Sequence, residues 1–176
     1  MESLGEINML RGVKKKQAIL RVIESNPGTG FVDIHKLTGF GHGVVSHHLS
    51  VLEKEGSIRI NREKRNIWVF QSSLDPNNDR IIIALRKETC KNILAFLLDV
   101  HSANFVQIHN TIKKSPGTTS VTLKKLVELD VIKIIHGFPK KYTLKDEIKT
   151  RKLFDALIVS YTDELKDRFA DTFSYL

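Results

Sequence analysis

An internal repeat is the feature that most constrains this chain. When the sequence is shifted by 74 residues against itself, residues 19–60 align with residues 93–134 without a gap, and 12 of the 42 aligned positions are identical. Ordinary composition gives about two or three identities over such a length. The repeat therefore predicts two similarly folded units. The identical pairs, most of them apolar or glycine, are Ile19/Ile93, Leu20/Leu94, Phe31/Phe105, Val32/Val106, Ile34/Ile108, His35/His109, Gly43/Gly117, Ser46/Ser120, Leu49/Leu123, Leu52/Leu126, Ile58/Ile132 and Ile60/Ile134.

The first copy predicts three helices. Apolar residues at helical spacing indicate a helix that ends at residues 26–28, Asn-Pro-Gly, and a short helix follows over residues 31–38. After a Gly-Phe-Gly turn, Val45, Leu49 and Leu52 recur at intervals of four and three residues, as on the buried stripe of a third helix. A glycine then ends this helix, as glycine commonly does.

A β-hairpin is predicted after the third helix of each copy. In the first copy, β-branched and aromatic residues flank the polar stretch NREKRN, which indicates a hairpin with a basic tip. The second copy predicts helices over residues 88–100, 105–113 and 116–130, then a hairpin over residues 131–144 with the tip HGFPKK.

This pattern predicts a mainly α chain with small β-hairpins. The segment SSLDPNND between the copies has the composition of a linker. The predicted organisation is a first domain at 1–73, a linker at 74–80, a second domain at 81–145 and a C-terminal amphipathic helix at 146–176.

The motif VSHHLSVLEKEGSI, residues 45–58, resembles the recognition-helix signature of the ArsR/MarR superfamily of transcription regulators. The second copy keeps three of the matching positions but has Thr122 in place of the histidine and Asp130 in place of the glycine. The resemblance implies two tandem winged helix-turn-helix domains, an arrangement familiar among archaeal regulators. The residues that carry it are Ser46, His48, Leu49, Leu52 and Gly56, with Ser120, Leu123 and Leu126 in the second copy.

The outward face of the third helix is the predicted DNA-reading surface, because an α-helix fits the major groove. We expect Val44, Ser46 and His47 to contact bases. The alternative is an exposed helix face without function. The residues predicted to face outward are His42, Gly43, Val44, Ser46, His47 and Ser50.

Basic and hydroxyl side chains elsewhere are predicted to contact phosphates. They lie in the wing of the first copy, and in the third helix and the wing of the second copy. The Lys14–Lys16 run, placed before the first helix, is a further candidate. Solvated hairpin tips and a solvated lysine run would explain the same residues. The predicted phosphate-contact residues are Arg62, Lys64, Arg65 and Asn66, then Thr118, Thr119, Thr122, Lys124, Lys125, Lys140 and Lys141.

Charge supports a polyanionic partner. The formal net charge is +8, with −2 over residues 146–176 and +10 over residues 1–145. Such a field attracts nucleic acid first and anionic membrane second. No apolar run approaches the roughly 18 residues of a membrane span, and the N-terminal sequence lacks the pattern of a signal peptide. We therefore expect a cytoplasmic protein that binds double-stranded DNA, with no membrane partner and with any small-molecule effector unknown.

Metal binding, cofactor binding and catalysis are not predicted. The chain has one cysteine, Cys90, and seven histidines. His42, His47 and His48 lack the three- or four-residue spacing that would bring two of them together on a helix. The matching places of His35 and His109 favour a structural role, such as a hydrogen bond to the backbone. We find no nucleophile-base-acid set and no phosphate-binding glycine loop.

The C-terminal segment predicts one amphipathic helix over residues 146–173, on the order of 40 Å long. The apolar stripe of this helix is longer than one small domain can cover. We therefore expect the helix to pack against a second copy in a homodimer; packing back on its own chain is the alternative. The predicted dimerisation residues are Phe154, Leu157, Ile158, Tyr161, Leu165, Phe169 and Phe173.

The function predicted from these features is that of a DNA-binding transcription regulator. A tandem winged-helix module for protein-protein assembly is the first alternative. A weakly specific, chromatin-like DNA-binding protein is the second.

Overall fold

The chain folds into two compact units, Met1–Asp79 and Arg80–Leu176. This computed structural model describes the backbone of residues 4–63 and 66–158 and the side chains of residues 11–62 and 66–158. The described part is mainly helical with two small antiparallel sheets, an architecture compatible with a winged helix. None of its helices combines the length and the apolar character needed to span a lipid bilayer.

The first unit contains three helices followed by a two-stranded hairpin. The elements are α1 (Leu4–Ser25), α2 (Phe31–Thr38), α3 (His42–Lys54), β1 (Ile58–Glu63) and β2 (Asn66–Gln71). The bounds of α2 are those predicted from the sequence. Helix α1 begins earlier than predicted, so the Lys14–Lys16 run lies within this helix and not before it.

One apolar cluster holds the first unit together. It joins α1, α2, α3 and both strands, and it includes the three residues that the helical period placed on the inner side of the third helix. Burying one such side chain contributes roughly 1.5–3 kcal/mol, so this cluster fixes the rotation of α3 and hence its exposed face. Its buried members are Ile19, Ile23, Ile34, Val45, Leu49, Leu52, Ile58 and Val69.

The strands of the first hairpin extend further than the sequence pattern indicated. The strand register runs from Ile58 opposite Gln71 to Glu63 opposite Asn66. Only residues 64 and 65 remain between the strands. Most of the polar stretch that was predicted as a tip therefore belongs to the paired strands.

The predicted linker at residues 74–80 is folded. A 3-10 helix, Pro76–Asn78, begins after Asp75, whose carboxylate accepts the amide of Asn77 at 2.9 Å. Helix α4 (Asp79–Leu85) follows at once, and its apolar residues 81–85 are all buried. Asp79, 6% exposed, binds Arg59 of β1. The polar composition of this segment thus reflects helix capping and an ion pair.

Between α4 and the C-terminal helix, the second unit has a segment that repeats the order of the first unit and adds one short strand. Its elements are α5 (Glu88–Val100), β3 (Ser102–Asn104), α6 (Phe105–Ile112), α7 (Pro116–Glu128), β4 (Ile132–Ile135) and β5 (Lys141–Leu144). The strand order is β3-β5-β4. Strand β3 was not predicted, since three residues are too few to show a period. The matching place in the first unit forms a single bridge, Thr29 opposite Val69.

The core of the second unit uses the positions that the repeat shares with the first. Ile93, Ile108, Leu123 and Leu126 are each at most 1% exposed, and Ile132 is 2% exposed. The identical apolar pairs therefore mark one core built twice, with the exceptions of Val32 and Val106, which are exposed in both units.

Asp130 occupies the place that Gly56 has in the first unit. Both residues follow a helix end in the left-handed conformation, with φ of 73° for Gly56 and 59° for Asp130. The carboxylate of Asp130 is paired with Lys145 and lies 3.7 Å from Arg80. Because aspartate tolerates this conformation better than most residues, the hairpin of the second unit starts as the first one does.

The C-terminal helix begins where the sequence predicted it and is described over residues 147–158. Asp146 caps it, accepting the amide of Lys149 at 2.9 Å. Arg151 donates to the carbonyl oxygen of Leu98 at 2.6 Å, which ties the helix to α5. The remainder of the predicted helix, with Tyr161, Leu165, Phe169 and Phe173, lies outside the described residues.

The predicted dimerisation residues of this helix differ in exposure. Phe154 is half-buried and Leu157 is 9% exposed, so the residues of its own chain cover Leu157. Ile158 is 40% exposed. The packing of Leu157 departs from the prediction that it faces a second copy, because the first turns of the helix lie against α5.

Candidate nucleic-acid interface

Helix α3 presents a continuous exposed face. Most of the residues predicted to face outward are exposed, while Val44 is half-buried beside the core. The apolar stripe of α3 causes this arrangement, since its burial leaves only one side of the helix open to solvent. The exposed residues are His42, Gly43, Ser46, His47 and Ser50.

The corner between α2 and α3 is packed with rings. The centroids of the His35 and His42 rings are 4.3 Å apart, and that of Phe31 is 5.4 Å from His42. His35 Nδ1 is hydrogen-bonded to the carbonyl oxygen of Phe40, the structural role predicted for it. His109 differs, because its buried Nδ1 has no hydrogen-bond partner among the described residues and its ring stacks on Phe105. In the described residues no three His, Cys, Asp or Glu side chains converge on a metal-sized site.

Two lysines of α1 lie near opposite ends of α3. Lys15 Nζ is 5.9 Å from the centroid of the Phe40 ring, and Lys16 binds both carboxylate oxygens of Glu55 at 2.8 and 3.0 Å. The Lys14–Lys16 run thus belongs to a helix packed against α3. Of these charges, that of Lys16 is already paired.

His48 lies beneath the exposed face of α3. It is 9% exposed, and its ring centroid is 5.1 Å from that of His47. Burial lowers the pKa of His48 below 6.5, and the charges of His47, Lys15 and Lys16 lower this pKa further. The histidine of the recognition-helix motif is therefore a neutral packing residue, and His47 beside it is the exposed one.

The first wing carries a cation that is held by α3. Arg62 Nη1 and Nη2 donate to the two carboxylate oxygens of Glu53 at 2.8 and 2.7 Å. This hydrogen-bonded pairing lowers the pKa of Glu53 and raises the pKa of Arg62. Asn66 is exposed at the end of the hairpin. Lys64 and Arg65 lie outside the described residues.

On α7 the structure separates the predicted threonines. Thr118 is exposed and Thr122 is half-buried. Thr119 is fully buried, and its Oγ1 donates to the carbonyl oxygen of Ser115 at 3.0 Å. The prediction of a phosphate contact for Thr119 is wrong because this residue occupies the core position of Val45 in the repeat.

The lysines of the second unit that were predicted to contact phosphates also differ in exposure. Lys124 is exposed, with its Nζ 3.9 Å from Glu128. Lys125 is half-buried and acts electrostatically on Lys87 and Cys90, so it is directed toward α5 and away from the exposed face. The predicted phosphate contact of Lys125 is therefore not supported by its position. Lys140 and Lys141 are exposed on the second wing.

Two exposed residues of α7 were not predicted from the sequence to contact DNA. Gly117 and Ser120 occupy the places that Gly43 and Ser46 have on α3, and all four residues are exposed. A Cβ at either glycine would meet no atom within 4 Å, and neither glycine has a positive φ. Identity between the two copies at positions without a structural requirement was the signal that could have identified them.

Comparisons with known proteins give only distant structural likeness. A hypothetical protein of Pyrobaculum spherical virus aligns over 78% of this chain and 97% of its own, with 16% identity and a TM-score of 0.41. The Streptococcus pneumoniae protein FabT, solved in complex with DNA, aligns over 66% of this chain and 71% of its own, with 20% identity and a TM-score of 0.31. Neither a protein-family model nor a curated protein matches the chain.

Proposed function

We propose that this protein is a DNA-binding transcription regulator of the ArsR/MarR type, built from two tandem winged helix-turn-helix domains. Helices α3 and α7 approach the duplex with their first turns, and the wings contact adjacent phosphates. The protein acts by binding and not by catalysis. It works as a homodimer that is held together by the C-terminal helix beyond residue 157.

The observation that carries this proposal is the glycine-serine pair repeated on α3 and α7. Gly43 and Gly117 are each the second residue of their helix, and neither a close neighbour nor a positive φ requires glycine there. In a helix interior, glycine is less favourable than alanine by about 1 kcal/mol. A glycine does allow an external backbone to come close. The hydroxyls of Ser46 and Ser120, one turn further along each helix, suit phosphate oxygens.

The charge distribution supports the same partner. Residues 1–145, which include the first unit and the repeated elements of the second, carry a net charge of +10. Duplex DNA is the polyanion whose groove admits an exposed helix. The exposed face of α3 offers serine and histidine but no Arg, Asn or Gln, so modest sequence specificity is expected.

The test replaces each glycine by alanine. Gly43→Ala and Gly117→Ala should raise the free energy of unfolding by roughly 0.5 kcal/mol, because alanine favours the helix. Both variants should bind duplex DNA more weakly, since the added methyl group blocks the close approach. Thermal unfolding and fluorescence anisotropy with labelled duplexes measure the two effects.

Gly12→Ala is the matched control. Gly12 lies within α1, and a Cβ there would also meet no atom within 4 Å. This variant should become more stable without losing DNA affinity. A wild-type affinity that hardly changes between about 50 and 200 mM salt would refute the proposal, because about six phosphate contacts should cost about a thousandfold.

A further inference from the structure

The tip of the second wing differs from that of the first in length and chemistry. Two residues join β1 to β2, whereas five residues, His-Gly-Phe-Pro-Lys at 136–140, join β4 to β5. Phe138 at the centre of this tip has a relative exposure of 110%, so its ring is entirely in solvent. A phenylalanine ring left in solvent does not contribute the roughly 1.5–3 kcal/mol of stability that its burial would contribute. Hairpin turns ordinarily use polar residues. The fold therefore gives no reason for an aromatic residue here.

The charge around Phe138 indicates what this ring meets. Residues 131–144 contain three lysines and no aspartate or glutamate, while Lys145 is paired with Asp130. Lys133, Lys140 and Lys141 are exposed on the strands and at the tip. Ile135 beside the tip is 45% exposed. An exposed apolar ring near lysines and without a neighbouring carboxylate fits a partner that combines apolar surfaces with dense negative charge, as stacked bases and phosphates do.

We infer that Phe138 is a wedge that enters a groove of duplex DNA, partly unstacks the neighbouring bases and bends the duplex, while Lys140 and Lys141 bind the adjacent phosphates. This inference rests on the proposed DNA-binding function. Apolar side chains inserted at base steps kink DNA in this way. An anionic lipid surface is disfavoured, because membrane binding scales with the apolar area buried and this tip offers one ring.

The experiment compares the wild-type protein with Phe138→Ala on duplexes that contain 2-aminopurine, whose fluorescence rises when its neighbours unstack. Dyes at the two duplex ends report bending by energy transfer. The wild type should raise the 2-aminopurine fluorescence and shorten the end-to-end distance. Phe138→Ala should lose both signals and bind about tenfold more weakly, the range given by stacking of one base on an aromatic ring. Its salt dependence should stay unchanged, because no charge is removed.

The control is Ile148→Ala, which removes an 85% exposed apolar side chain from the C-terminal helix of the same unit. It should behave as the wild type. If Phe138→Ala binds and unstacks DNA as the wild type does, the wedge is wrong and the proposed function stands. If the wild type ignores duplex DNA and instead binds vesicles of anionic phospholipid through Phe138, both the wedge and the proposed function are wrong.

Discussion

His48 lies where the basic part of α1 meets α3, and its environment makes its protonation costly. Its imidazole is 9% exposed, and the surrounding charges that act on it are those of His47, Lys15 and Lys16. Each of these favours the neutral ring. A histidine in such a place contributes most to stability when it is uncharged.

The first prediction concerns acid stability. Because the pKa of His48 is lower in the folded protein than the value of 6.5 expected after unfolding, the unfolded chain binds more protons below that pH. The stabilising contribution of neutral His48 is thus complete above pH 6.5 and declines as the pH falls below it. His48→Gln should show a weaker decline in its urea midpoint over this range. His136→Gln, at an exposed position on the second wing, should keep the pH profile of the wild type. A pH profile of His48→Gln that equals that of the wild type would contradict the prediction.

The threonines of α7 show what residue-level reasoning could have resolved. Thr118 and Thr119 were both predicted to contact phosphates because of their hydroxyls. The repeat aligns Thr119 with Val45, which was itself predicted to be buried, so the alignment contained the correct answer. Residue type alone did not separate two adjacent hydroxyls, whereas position in the helical period did.

At the scale of elements, strand β1 holds two arginines with different tasks. Arg59 donates to both carboxylate oxygens of Asp79 at 2.8 and 3.1 Å and to the carbonyl oxygen of Leu74 at 3.0 Å. Its guanidinium carbon lies 5.4 Å from the centroid of the Phe70 ring. Arg59 thus attaches the hairpin to the segment after it, while Arg62 pairs with Glu53 of α3 at the surface.

The second prediction compares these two arginines. Arg59→Leu leaves the buried carboxylate of Asp79 without its cation, which should lower the free energy of unfolding by roughly 2 kcal/mol. Arg62→Leu, on the same strand, should leave stability nearly unchanged because exposed ion pairs contribute little. Urea unfolding measures both. In the double variant with Asp79→Leu, part of the loss should be recovered, and a loss that stays complete would argue against the ion pair as its cause.

Elements with a clear hydrophobic period could be predicted from the sequence, and those that depend on distant partners could not. The bounds of α2 and α5 agree with the prediction, since apolar spacing and flanking glycine or polar residues define them locally. Strand β3 and the Arg62–Glu53 pair were not predicted, because each exists only after the hairpin packs on the rest of its unit. The exposed face of α3 could be predicted from the sequence, whereas the ion pair between Arg62 and Glu53 could not.

The oligomeric state is a property of the whole molecule, and the proposed function includes a homodimer. In the described residues, the start of the C-terminal helix lies against α5, and Leu157 is covered. Ile158 at the end of the described part is 40% exposed. The apolar residues predicted beyond it have the same helical spacing and remain the proposed contact between two copies.

The third prediction is that the protein in solution has twice the 20.1 kDa mass of one chain. Leu165→Glu combined with Phe169→Glu should give a monomer that retains the wild-type far-ultraviolet circular dichroism of both units, because two buried charges in an apolar interface are not tolerated. Light scattering after size exclusion measures the mass. Leu157→Ala should instead reduce stability without dissociating the dimer. A single-chain mass for the wild type at micromolar concentration would eliminate the dimer.

The unlike wings have a consequence for how one chain reads a duplex. The two-residue connection between β1 and β2 and the five-residue tip with a bare phenyl ring between β4 and β5 are not interchangeable. Turning a bound duplex end for end would exchange the sequence offered to each tip. Under the proposed function, the two wing tips of one subunit would therefore meet the duplex with different side chains, and each half-site of the homodimer would have a polarity.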